Sequence, residues 1–313
     1  MARYVSKFFS NLKGLLSKKG IAFVLFGPLL ASILAFLVIV PIELINNILG
    51  SFLSLISAPT GSLPVIFAVI MGLIGALIQL GVGAFFGIYI VKFARLYLSD
   101  KVSLSSLKIA FKRAYRRWFV GFKSFIIVSL ISALIFIVGS ILGFSLIMLS
   151  QFFHIKGLLF NFLLLFGLIL SILIAIFLSI VFWPLNFIIE GTEIKSAISI
   201  VKKAFSIGKS TFFQAFEVIL SSFLVKIVPA VLAILFITIL LAAFGVSLSP
   251  FISNIAEGKP QVVLGLFLGV IGVGLFLLIP SFIFVFAVSL FASSASTITL
   301  LELFDEVKQS FLS

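Results

Sequence analysis

Nine acidic residues, one histidine and no cysteine are all this chain offers for building a reaction centre. Without cysteine there is no thiolate nucleophile, no disulfide and no thiolate metal site. His154 alone makes no imidazole cluster, and a lone surface histidine is usually only that. Acid–base catalysis needs a titratable group held against a substrate. The sequence shows no carboxylate pair, nucleophile–base pair, phosphate loop or metal motif. It therefore predicts a protein that is not an enzyme and takes no cofactor.

Six residues still carry candidate chemistry. Glu217 and Lys226 fall inside one apolar stretch, where charges are costly and often functional. Nine residues apart, they lie on opposite sides of a helix and do not pair with each other. Either can also be an interfacial charge that snorkels to the membrane surface. Glu217 is the stronger functional candidate, because a carboxylate is too short to snorkel far. It could meet a lysine or accept a proton. Glu190 and Asp100 each follow an apolar stretch. They read as latches to the basic segment behind them, or as charges that complement a helix dipole. Pro184 with Asn186 marks a place where a span could break and offer carbonyls to an ion. Proline in a span, as also at Pro229 and Pro280, is more often a kink re-satisfied by its neighbours.

The elements that must hold these residues are membrane spans. The 313 residues are 63% hydrophobic and 10% charged. Soluble proteins run at about 45–50% and about 25%. That excludes a soluble globular domain, a disordered chain and a disulfide scaffold. A span needs about 20 apolar residues. The charge-free runs give an all-α polytopic bundle forming one integral membrane domain over 1–313, with spans at about 21–45, 64–91, 122–150, 157–188, 215–245 and 262–298. The first run is too long for a signal-peptide core and reads as an uncleaved span. The last contains Pro280 but no polar turn, so one kinked helix is expected rather than two short ones.

Charge orients the bundle. Segments 1–20, 92–123 and 190–211 hold the basic clusters, with nine Lys and Arg in 92–123 alone. The intervening loops hold only Lys156 and Lys259. Basic connections stay in the cytoplasm. This predicts both termini inside, a tail over 299–313, and a multi-pass protein of the cell membrane. It also accounts for the net charge of +13 without nucleic acid. Trp118 and Tyr115 beside Arg116 and Arg117 fit an interfacial aromatic belt.

Two basic segments match at an offset of 90 residues, Asp100–Tyr115 and Glu190–Phe205. Each sets an acid before a basic amphipathic stretch that leads to the next span. The N-terminal stretch through Phe8, Phe9, Leu12, Leu15 and Leu16 is a looser third case. Such helices are expected in the interface, with Lys108, Lys112, Arg113, Arg116, Arg117, Lys202, Lys203 and Lys209 on anionic headgroups. Repeats of this kind occur in transporters, and basic linkers also serve simply to fix topology. Gly83–Gly87, Gly139–Gly143 and Gly265–Gly269 match the small-xxx-small packing pattern.

The stretch Trp183-Pro-Leu-Asn-Phe-Ile-Ile-Glu190-Gly191, followed by Ala197–Ile198 and Gly208–Lys209, resembles a known family. This is the six-span membrane domain of many uncharacterised bacterial and archaeal proteins, also fused to some glycerophosphodiester phosphodiesterases. Val201 stands where that family often has Ser. No catalytic domain is appended, so the resemblance implies a membrane module, an anchor or partner for other activities, without the phosphodiesterase reaction. The residues by themselves favour an anchor, scaffold or assembly module. A transporter or channel for a small or weakly polar solute or lipid is the alternative. Convergence of Glu217, Lys226 and Asn186 on one cavity would mark it.

Overall fold

The computed structural model describes residues 2–56, 63–152, 173–174, 176–255 and 260–312. His154, Lys156, Lys259 and most of the expected 157–188 span lie outside the described residues. The described elements are helical. They are α1 (Ala2–Gly14), α2 (Lys18–Val24), a π turn (Leu25–Leu29), α3 (Leu30–Ile56), α4 (Leu63–Leu98), α5 (Leu104–Phe152), α6 (Leu185–Gly191), α7 (Ala197–Ser210), α8 (Phe212–Ile255) and α9 (Pro260–Leu312). Among the described residues, five stretches are long and apolar enough to cross a membrane: Lys18–Ile45, Val69–Leu98, Ser105–Ile135, Phe212–Phe236 and Ile279–Lys308. Ile176–Gly191 is a shorter apolar segment at the exit of the expected fourth span.

Burial divides each long helix in two. Phe36, Leu73, Leu134, Ile239 and Phe282 point large apolar side chains outward. In water such a surface would aggregate; in a bilayer the lipid tails solvate it. The buried residues gather toward one end, the polar end. There Phe8, Phe23, Tyr89, Phe93, Ile188, Ile200, Ile207 and Phe304 are fully covered. Tyr89 is central: its ring stacks on Phe93 with centroids 5.9 Å apart, and its hydroxyl donates to the Phe26 carbonyl in the π turn. Pro28 sits in that turn. Having no N–H, proline disturbs the regular helical ladder locally.

Both chain ends meet at the polar end. Asn11 of α1 donates to Thr299 of α9 at 3.0 Å. Arg3 reaches Glu306 at 3.2 Å, joined by Lys7. Tyr4 donates to the same carboxylate at 2.9 Å. Partial burial, then this bond to Glu306, raises the Tyr4 pKa, so its hydroxyl stays a donor well above neutrality.

The basic segments differ from their expected form. The first is no separate interfacial helix, because Leu104–Phe152 runs on as one 49-residue element. The span candidate Ser105–Ile135 within it takes in the basic residues Lys108 to Arg117 ahead of the apolar run expected from about residue 122. The second, α7, is separate and is capped by Ser196, whose Oγ accepts from the Ser199 N–H at 3.4 Å. It joins α8 through a kink at Thr211. Its apolar face, Ile200, Val201, Ala204 and Ile207, is buried on protein. Ile198 and Phe205 remain on the outer side. Pro280 lies within α9, which is continuous from Pro260 to Leu312.

Asp100 has φ of 56°, the left-handed region. It terminates α4: the Lys101 N–H bonds back to the Leu96 carbonyl at 2.9 Å, and the Asp100 N–H to Tyr97 at 3.0 Å. This is the six-to-one closure that usually takes glycine. Asp100 also meets Lys19 at 3.0 Å, and both side chains are exposed. Asp100→Gly is expected to leave thermal stability unchanged or raise it by up to ~1 kcal/mol, since the backbone gain outweighs a screened pair. Asp100→Val, measured in the same melt, loses about 1 kcal/mol or more.

Candidate functional site

Three helix ends and the start of a fourth converge at the polar end. Lys92 and Arg95, three residues apart on α4, share one helical face. Glu190 and Gly191 end α6. Arg113 lies early in α5, and Asp305 and Lys308 late in α9. Glu190 is only 3% exposed. Its carboxylate accepts from Arg95 Nε at 2.5 Å and lies 3.4 Å from Lys92 Nζ. Arg95 continues to Asp305 at 3.1 Å. One buried acid thus ties α4 to α6, and the arginine extends the tie to α9.

Beyond its own last turn, α6 has carbonyls that no helical N–H can reach. Two arginines of α5 supply the donors. Arg113 gives Nε and a terminal N–H to the Glu190 carbonyl at 3.1 and 2.5 Å. Arg117, 5% exposed, gives Nε to the Ile189 carbonyl at 3.0 Å and a terminal N–H to Ile194 at 2.6 Å. Five donors in a rigid fork suit this task in a way a lysine does not. Arg113 and Arg117 were expected on lipid headgroups; they are instead turned into the protein. Their face explains it. Ala110, Ala114, Arg117 and Gly121 form one buried row along α5. Lys108, Lys112 and Arg116 lie on the exposed side, as do Lys202 and Lys209 of α7, and Lys203 is half-buried.

Arg113 also donates to Glu193 at 2.6 Å. That bond, and the guanidinium charge behind it, hold the Glu193 carboxyl below the usual carboxylate range. A lowered pKa means the contribution is complete above the ordinary value and fades as pH falls through the depressed one. Wild type and Glu193→Gln should therefore differ in melting temperature at neutral pH and converge in acid. The difference stays small because Glu193 is exposed.

Between these side chains lies a cavity of about 310 Å³, lined by Lys92, Arg95, Arg113, Glu190, Gly191 and Lys308. Four cations face one carboxylate. Asp305 and Glu193, both exposed, take up part of the excess by pairing with Arg95 and Arg113. Lys308 has no acid within ion-pair distance among the described residues.

The other candidates fall elsewhere. The chain turns at Phe182–Pro184, and Pro184 caps α6. Trp183 donates from Nε1 to Thr211 at 3.1 Å across this corner. Asn186 lies flat on α4. A Cβ at Gly87 would come within 2.5 Å of its amide nitrogen. Gly83, the other half of that small-residue pair, faces open space. The Asn186 Oδ1 is buried without a hydrogen-bond partner among the described residues. Glu217 and Lys226 are half-buried on α8. Asp100 is exposed where its counterpart Glu190 is buried, so the matched acids do different work. The sequence reading passed over Lys92, Arg95, Asp305 and Lys308, which complete the site. Among the described residues, no group of three or more His, Asp or Glu is placed to hold a metal.

Fold and site together define an all-α, multi-pass integral membrane protein with a charged belt at one end of its bundle. No family model, curated protein or solved structure matches the chain. These comparisons do not tie the chain to the membrane domain of glycerophosphodiester phosphodiesterases.

Proposed function

We propose that this protein is a non-enzymatic anchor or assembly module of the cell membrane, with its polar end and both termini in the cytoplasm. The observation that carries this reading is the belt itself. Its buried groups are spent on one another: Glu190 on Lys92 and Arg95, and the α6 carbonyls on Arg113 and Arg117. Such a network fixes helices in one arrangement, as a scaffold requires, whereas a transporter must rearrange around its site. The distribution of the remaining polar groups also supports it. Asn186 packs against α4, while Glu217 and Lys226 occupy opposite sides of α8. Lys108, Lys112, Arg116, Lys202 and Lys209 are exposed and suit anionic headgroups at the inner leaflet.

The test is native mass spectrometry of the protein released gently from its own membranes. A stoichiometric protein partner is the expected result. A protein that emerges alone, and whose proteoliposomes pass a small solute until Glu217→Gln stops them, overturns the proposal in favour of transport. Cysteine accessibility checks the orientation cleanly, because the chain has no native cysteine. A cysteine placed at Lys308 should react only from the cytoplasmic side.

A further inference from the structure

We propose that the cavity between α4, α5, α6 and α9 is a binding site for one phosphate group, taken from an anionic phospholipid headgroup or from a soluble phosphate compound. The inference deepens the reading above, since a resident phosphate at the inner leaflet is what a membrane module would hold there. Three observations carry it. The first is charge. Lys92, Arg95, Arg113 and Lys308 line the cavity against the single carboxylate of Glu190. With the exposed acids Asp305 and Glu193 counted on Arg95 and Arg113, Lys308 is still without an acid among the described residues, and Lys92 shares Glu190 with Arg95. These cations are partly exposed rather than sealed from water, and their excess positive charge draws an anion into the cavity.

The second is donor geometry. Arg95 and Arg113 are already fixed by their protein bonds, at Glu190 and Asp305 and at the Glu190 carbonyl and Glu193. Their guanidinium planes are therefore set before a ligand arrives, and each keeps N–H groups beyond those bonds. Arginine forks match phosphate oxygens bidentately, and lysine adds a point charge. The third is size and place. About 310 Å³ lies at the small end of ligand pockets. It suits a phosphate with a small substituent. The cavity lies where the candidate spans Val69–Leu98 and Ile279–Lys308 end, and headgroup phosphates lie just beyond the apolar core that such spans cross. Gly191 leaves room: a Cβ there would come within 3.1 Å of the Arg95 guanidinium.

The experiment uses the full chain in a non-ionic detergent. Native mass spectrometry counts lipids retained from an equal mixture of phosphatidylglycerol and phosphatidylcholine. A parallel thermal-shift titration uses inorganic phosphate. Lys308→Gln removes a cation that holds no ion pair among the described residues, so folding is preserved, and Gly191→Ala narrows the cavity as a second variant. Lys202→Gln, on the exposed side of α7, is the control. One phosphatidylglycerol retained preferentially, and reduced at least fivefold by Lys308→Gln and Gly191→Ala but not by Lys202→Gln, establishes a lipid site. Stabilisation by inorganic phosphate with the same variant pattern, and no lipid preference, establishes a soluble phosphate ligand. Neither ligand binding, or binding indifferent to both cavity variants, overturns the proposal and leaves a network of ion pairs alone. The partner search under Proposed function is read separately, so the two can fail independently.

Discussion

Glu190→Ala lowers the melting temperature of the detergent-solubilised protein more than any other loss of a polar side chain. The carboxylate is buried and holds Arg95 and Lys92. Removing one partner of a buried pair typically costs 3–5 kcal/mol, because the charge left behind has no water. Here the lysine and arginine side chains are 26% and 23% exposed, so they can turn partly toward solvent or headgroups. We therefore expect about 2–4 kcal/mol. Glu190→Gln keeps the shape and one acceptor and should cost roughly half as much. Adding Lys92→Met to Glu190→Gln should return part of the loss, since it removes the lysine that the substitution strands. Glu193→Gln, beside it but exposed, is the negative control. A Glu190→Ala protein that melts with the wild type would mean that the belt does not hold α4 to α6. Unfolding of such proteins is often irreversible, so all variants must be compared at one scan rate.

The lipid-exposed part of the fold was legible because it obeys one rule: about 20 apolar residues per crossing. The polar end obeys several rules at once and was read less well. Charge counting placed Arg113 and Arg117 with the surface lysines, yet Arg117 falls seven residues after Ala110 and three after Ala114. That spacing puts it on the small-residue face, where a neighbouring helix approaches closely. The row of Ala110, Ala114 and Gly121 was the available signal. Glu190 and Asp100 show the opposite difficulty. They match in the sequence, at an offset of 90. But Asp100 turns the chain in the left-handed region after α4, while Glu190 ends a seven-residue helix already buried among others. Local pattern cannot distinguish them, because tertiary packing decides which acid is covered. Lys308 and Asp305 lie more than 200 residues from Lys92 and Arg95. Only the return of α9 to the start of the chain brings them together.

Gly208→Ala should be as damaging as the loss of Glu190, for a reason of shape rather than charge. Glycine inside a helix is normally a weakness, and alanine there gains about 1 kcal/mol. At Gly83, where a Cβ meets nothing within 4 Å, that is the expected direction. At Gly208 a Cβ would be driven into the carbonyl carbon and oxygen of Val181. These are backbone atoms at the Phe182–Pro184 corner and cannot rotate away as a side chain tip can. Overpacking costs typically 1–3 kcal/mol when side chains yield. With backbone on one side we expect about 3 kcal/mol or more net of the propensity gain. Relief requires α7 to lift from the corner. Ile207, buried next to Gly208, would then be uncovered, and the Trp183–Thr211 hydrogen bond would open. Faster proteolysis between residues 191 and 197, together with a lower melting temperature, is the expected readout for Gly208→Ala, with Gly83→Ala unchanged or improved. Wild-type resistance in both would show that α7 does not rest on the Val181 backbone, and the corner that carries Trp183, Pro184 and Asn186 would need another explanation.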